Sequence, residues 1–101
     1  MMQKAQIFQQ ENVFFVTGEL IFSTVMHMWK TSLPLLNKAN ELHFDLSKVN
    51  SCNSAGVALI LEWMTYAKKN NKSIEFHNIP SQLMSIVAVS GLQSILNPVL
   101  T

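Results

Sequence analysis

Arginine is missing altogether, and all seven basic residues of this 101-residue chain are lysines. At a formal net charge of +1, the chain lacks the forked guanidinium donors that grip phosphates and base edges, which argues against nucleic acid as a partner. Cysteine is limited to Cys52, so neither an internal disulfide framework nor a cysteine-built zinc site is available. Long apolar runs are also absent. The longest, residues 57–61, falls far short of the roughly 18–20 residues a membrane-spanning helix needs. Lys4 is followed by Gln6, Phe8 and Glu11 rather than by an apolar signal core. A cytoplasmic protein without direct membrane insertion is expected. Charge itself is scarce, at 13% of residues against about 25% in an average soluble domain.

The residues that are present read as alternating strands and helices. Residues 5–9 and 13–17 are short, rich in β-branched and aromatic side chains, and separated by Glu11 and Asn12, the pattern of a hairpin. Gly18 is expected to end the second strand, Ser23 to cap a first helix carrying Val25, Met26, Met28 and Trp29, and Pro34 to end or kink it. Residues 41–46 alternate, placing Leu42, Phe44 and Leu46 on one face of a third strand, and a loop is expected over 47–52. Asn53 or Ser54 then caps a second helix running to about residue 70. Lys68, Lys69 and Lys72 cluster near its end, where cations complement the helix dipole. A fourth strand is expected over 72–77, and a last helix opens at Asn78-Ile79-Pro80 and stops at Gly91. The tail 92–101 is expected to add a short strand or turn. This order predicts an α/β fold, with a mixed sheet of about four strands flanked by about three helices in two or three layers, as a single domain over 1–101.

No constellation for catalysis emerges. Asp45, the only aspartate, lies inside the third strand and reads as a strand-end polar residue or loop cap rather than a general base. His27, His43 and His77 show neither H-x-x-x-H nor H-x-E spacing. His43 and His77 fall at comparable places in two strands and are read as solvent-facing residues, with a cross-strand pair as the alternative. Cys52 precedes a helix start, where the dipole would lower a thiol pKa, but with no histidine nearby in sequence it reads as a small buried residue. Neither Gly18 nor Gly56 belongs to a phosphate-cradling loop. No catalytic residue, cofactor or metal is expected.

The second helix is apolar on two sides. Val57, Ile60, Leu61, Met64 and Ala67 form one stripe, expected to face the sheet. Leu59, Trp63 and Tyr66 lie opposite, beside Glu62. Either the helix is buried on both sides or this second stripe docks a partner, since aromatic residues dominate protein interfaces. The last helix repeats the signal. Residues 78–101 carry no charge, and after Leu83, Ile86, Val87 and Leu92 supply a core stripe, Met84, Ala88 and Val89 are left over.

Three segments together resemble a known family. Thr17-Gly18-Glu19-Leu20, then Phe44-Asp45-Leu46-Ser47-Lys48-Val49, then Cys52-Asn53-Ser54-Ala55-Gly56-Val57 are similar to the G-E-L/I-D, D-L-S-x-V and D-S/T-x-G-L segments of STAS domains. Within that family, Met28-Trp29-Lys30 and Tyr66-Ala67-Lys68-Lys69-Asn70-Asn71 most resemble the small STAS subunits of Mla-type phospholipid-trafficking ABC transporters of Gram-negative bacteria. The resemblance implies a STAS-like fold and a non-enzymatic cytoplasmic adaptor, peripheral to an inner-membrane complex that maintains outer-membrane lipid asymmetry. Its implied partner is the ABC ATPase subunit of the lipid transporter. It also implies docking through Asn53, Ser54, Ala55 and Gly56, to which the residue reading adds Leu59, Trp63, Tyr66 and Met84. In anti-sigma factor antagonists of the family the hydroxyl at the position of Ser54 is phosphorylated, so an antagonist regulated at Ser54 is the alternative. Asn53 stands where the family has an acid and Ile21 where it often has Asp. A homodimer of the isolated chain through its apolar helix face is a further expectation.

Overall fold

The computed structural model describes residues 5–100. Its elements are β1 Gln6–Gln10, β2 Val13–Leu20, α1 Val25–Asn37, β3 Glu41–Cys52, α2 Ser54–Lys69, β4 Ser73–His77, α3 Ser81–Ser90 and α4 Gln93–Leu96. The strands form one mixed sheet in the order β1-β2-β3-β4. β1 and β2 make the expected antiparallel hairpin, turned at Glu11 and Asn12 with Glu11 at φ 56°, and the β2–β3 and β3–β4 pairs are parallel. Thr101, the last residue of the expected terminal strand or turn, lies outside the described residues. Within the rest of that segment Gln93–Leu96 form the additional helix α4, so four helices flank the sheet, while residues 97–99 make the expected turn and Leu100 bridges to Phe76.

Alternation along the strands divides the sheet into a covered face and an open one. Phe14, Val16, Leu42, Phe44, Leu46 and Phe76 are buried, whereas their neighbours Phe15, His43, Asp45, Glu75 and His77 are only half-buried on the other side. On the covered face the Phe14, Phe44 and Phe76 rings run in a row across three strands, with centroids 5.5 and 4.9 Å apart. Trp63 of α2 stacks on the middle ring at 4.4 Å. Offset stacking of this kind adds about 0.5–1.5 kcal/mol per pair beyond burial. Two layers therefore form.

β2 does not end at Gly18. That glycine sits within the strand at φ 91°, where the β2–β3 register slips between Gly18 and Glu19, and the strand continues to Leu20. A Cβ would be strained at that φ. The loop expected over 47–52 is likewise strand: β3 continues to Cys52 because β2 offers partners to Lys48, Val49, Ser51 and Cys52. Its polar residues resemble a loop only when read without the neighbouring strand.

α1 starts one residue later than a Ser23 cap would give. Thr24 precedes it, and the Thr24 hydroxyl accepts from the Ile21 N–H at 3.1 Å while lying 2.6 Å from the Glu19 carbonyl to which it donates. Pro34 does not end the helix, which runs three residues further to Asn37. Proline cannot bond the Lys30 carbonyl four residues back. The continuation is held by burial of Met28, Ser32 and Leu36 and by Lys72, whose ammonium donates to the carbonyls of Leu36 (2.7 Å), Asn37 (3.3 Å) and Ala39 (2.6 Å). Lys72 thus serves the end of α1, and Lys68 and Lys69 the last turn of α2.

Candidate protein-docking site

The start of α2 is built as the Asn53-Ser54 pair requires. Asn53 is the N-cap: its side-chain oxygen accepts from the Ala55 N–H at 2.9 Å and its carbonyl from the Gly56 N–H at 2.9 Å. Ser54, the first helical residue, is exposed, and its hydroxyl is not needed for the cap. Gly56 lets α2 lie close to the end of β2, since a Cβ there would come within 3.2 Å of the Leu20 Cβ. Cys52 is buried behind this turn, and burial pushes its thiol pKa up. The depressed value that a helix start would give is overridden.

The stripe assigned to a partner is corrected by the packing. Trp63 is 0% exposed, and its indole N–H donates to the Ser32 hydroxyl at 2.9 Å. Ser32 in turn donates to the Trp29 carbonyl at 2.7 Å. Trp63 is a core residue whose polar atom is satisfied from α1, so it offers no surface to a partner. Leu59 is buried too. Tyr66 is half-buried, edge-on to Trp29 at 6.4 Å, with its hydroxyl on the Asn37 side chain. The exposed face of α2 is Ser54, Ala58, Glu62, Thr65 and Lys69, while Leu61 and Met64, expected to point at the sheet, are only half-buried.

An apolar groove of about 410 Å³ lies instead between the starts of the two helices. Phe22, Val25, Met26 and Trp29 form one wall and Ala55, Ala58, Leu59 and Glu62 the other. Phe22 is 73% and Met26 64% exposed, high values for side chains of this size. Of the expected docking residues, Ala55 and Leu59 line the groove, Asn53, Ser54 and Gly56 stand at its α2 end, and Met84 lies on α3, exposed but not among the lining residues. Phe22, Met26 and Trp29 are the residues that sequence reasoning missed. Their spacing of i, i+4 and i+7 was a signal, hidden because Phe22 sits before the expected helix start.

On the open face of the sheet, Asp45 accepts from the Ser47 N–H (2.8 Å) and the Asn78 side chain (2.9 Å). Partial burial raises its carboxyl pKa, but these bonds and nearby His77 outweigh that and hold it below its ordinary value. It is a loop tie, as expected. His43 and His77 face the same side and stack on one another, with ring centroids 5.8 Å apart, as the cross-strand alternative had it.

Comparison with known proteins places this geometry. Residues 5–99 match the family described as MlaB, STAS domain. The chain belongs to the STAS domain family. A STAS relative, the intermembrane phospholipid transport system binding protein MlaB of Haemophilus influenzae (strain Rd), is 30% identical over 83 residues, covering 77% of this chain and 78% of its own. The STAS fold is also that of the anti-sigma factor antagonist SpoIIAA in its unphosphorylated form, at a TM-score of 0.71 and 16% identity, over 96% of this chain and 85% of that one. The phosphorylated form of the Bacillus protein gives 0.67, with 16% identity over 96% and 88%. Among the described residues, no helix of this STAS domain is long and apolar enough to cross a membrane.

Proposed function

We propose that this chain is the cytoplasmic STAS adaptor of a phospholipid-transporting ABC complex of the Mla type, seated on its ATPase subunit and supporting it without catalysing a reaction. The observation that carries the reading is the apolar groove between α1 and α2, with Phe22 and Met26 exposed on one wall and the free Ser54 hydroxyl at the end of the other. Large apolar side chains around a concavity, rimmed by a hydroxyl and Glu62, have the composition of an interface core with a polar rim. The similarity to a phospholipid transport system binding protein supports the choice of complex. An ATPase surface that fills the groove would present an apolar or aromatic anchor.

Co-purification with the ATPase subunit tests this. Phe22→Glu and Met26→Glu each place a charge in the contact and are expected to lower recovery of the ATPase at least tenfold, with thermal stability unchanged. Ser54→Ala retains the partner, whereas Ser54→Glu weakens it. Recovery equal to wild type in all four variants would overturn the docking site.

A second reading, an anti-sigma factor antagonist regulated by phosphorylation of Ser54, is favoured by the exposure of that hydroxyl and by the SpoIIAA-like fold. A phosphate there would add roughly −1.5 to −2 charge beside the N–H groups of the first turn. Incubation with an anti-sigma kinase and ATP separates the two, because phosphate on Ser54 with release of a sigma factor belongs to the second reading alone.

A further inference from the structure

We infer that His43, Glu75 and His77 form a binding site for a divalent metal ion of the zinc class on the open face of the sheet, remote from the docking groove. The site is a product of strand register. His43 on β3 is the direct cross-strand partner of Glu75 on β4, and His77 follows Glu75 by two residues, so all three side chains emerge on one face of a rigid parallel pair. One ligand atom from each residue lies within 4.8 Å of the others. Glu75 Oε1 is 3.2 Å from His43 Nδ1 and 3.4 Å from His77 Nε2. Ligands about 2.0–2.2 Å from a tetrahedral zinc ion stand about 3.3–3.5 Å from one another. The 3.4 Å edge falls in this range, the 3.2 Å edge lies just below it, and the histidine–histidine edge, within 4.8 Å, is free to close on an ion.

The surroundings of His43 suit a metal-bound imidazole. His43 has a carboxylate oxygen at each ring nitrogen: Glu75 at Nδ1 and Glu41 at Nε2, both at 3.2 Å. An imidazolium would donate to both carboxylates and a neutral imidazole to one of them. With a metal ion between His43, Glu75 and His77, Nδ1 offers its lone pair to the metal while Nε2–H donates to Glu41. A carboxylate on the far nitrogen is the usual support of a metal-bound histidine. Asp45 is not part of the cluster: its oxygens hold the Ser47 N–H and the Asn78 side chain. Two imidazoles and one carboxylate are a donor set for zinc, nickel or copper rather than for calcium or magnesium. The three residues are half-buried, which leaves the fourth position open to water or to a side chain from a neighbouring protein.

The test is calorimetric titration of zinc chloride into the full chain carrying no histidine tag. One saturable site is expected, together with a rise in melting temperature on adding zinc and the visible spectrum of a tetrahedral ion when cobalt replaces it. His43→Gln, Glu75→Gln and His77→Gln each weaken binding by more than about tenfold, and Glu41→Gln by about 10–100-fold. All four positions are at least partly exposed, and retained helical circular dichroism verifies folding of each variant. His27→Gln, on α1, leaves binding unchanged. Absence of saturable binding, undiminished affinity in folded His77→Gln, or loss of binding in His27→Gln would each overturn the assignment.

Discussion

Ser32 occupies the middle of α1, wholly buried, and joins two elements through one hydroxyl. Replacing it with alanine leaves the Trp63 indole N–H without an acceptor in the core. A buried donor that loses its partner costs about 1–3 kcal/mol, so Ser32→Ala is expected to lower the urea midpoint correspondingly, with an unchanged denaturant slope. Ser32→Thr keeps the hydroxyl and restores part of the loss if the added methyl is accommodated. The same bond explains why Trp63 was misplaced when only the sequence was read. Its neighbours on α2 show that two sides of the helix are apolar, but the acceptor that lets an indole be buried comes from a residue 31 positions away. Asn53 and Gly91 were legible for the opposite reason. A helix cap and a left-handed C-terminal glycine are decided within four residues, and each was found where expected, Asn53 bonding the Ala55 N–H and Gly91 at φ 73°.

Among the elements, α1 shows most clearly how a helix survives an unfavourable residue. Pro34 removes one internal bond, and the last carbonyls are gathered by a lysine that precedes β4. Lys72→Met keeps the apolar stem and removes the donors. It is expected to cost about 1.5–3 kcal/mol, the range for hydrogen bonds to a charged group, measured by chemical denaturation, with the loss localised by faster amide exchange at residues 35–39. The helices and strands themselves were largely readable, because alternation over 41–46 and the apolar periodicity of α2 are strong patterns. The extension of β3 to Cys52 was not, since it depends on β2 offering backbone partners across two register shifts. The groove between α1 and α2 was half legible: the α2 wall begins at the Asn53-Ser54 motif, while the α1 wall requires knowing that Phe22, ahead of the helix, folds back beside Met26 and Trp29.

For the molecule as a whole, the shortage of charge resolves into position. The core takes up much of the apolar surplus, and what remains outside falls at the groove (Phe22 and Met26), around the last two helices (Met84, Val89 and Ile95) and at Phe8 on β1. The isolated chain is expected to self-associate as its concentration rises, measured by sedimentation velocity, and the double variant Phe22→Ser and Met26→Ser is expected to shift it toward monomer. Under the proposed function, addition of the ATPase subunit should do the same. The sheet that carries all of this is bounded unequally. Beyond β4, the Phe76 N–H donates to the Val99 carbonyl at 2.7 Å and Phe76 bridges to Leu100, whereas among the described residues β1 has no strand on its outer side. Among the described residues, the two borders of the sheet are therefore not equally available to a further strand. Val99 and Leu100 thus blunt the β4 border at Phe76, and edge-to-edge pairing with another chain is disfavoured on that side.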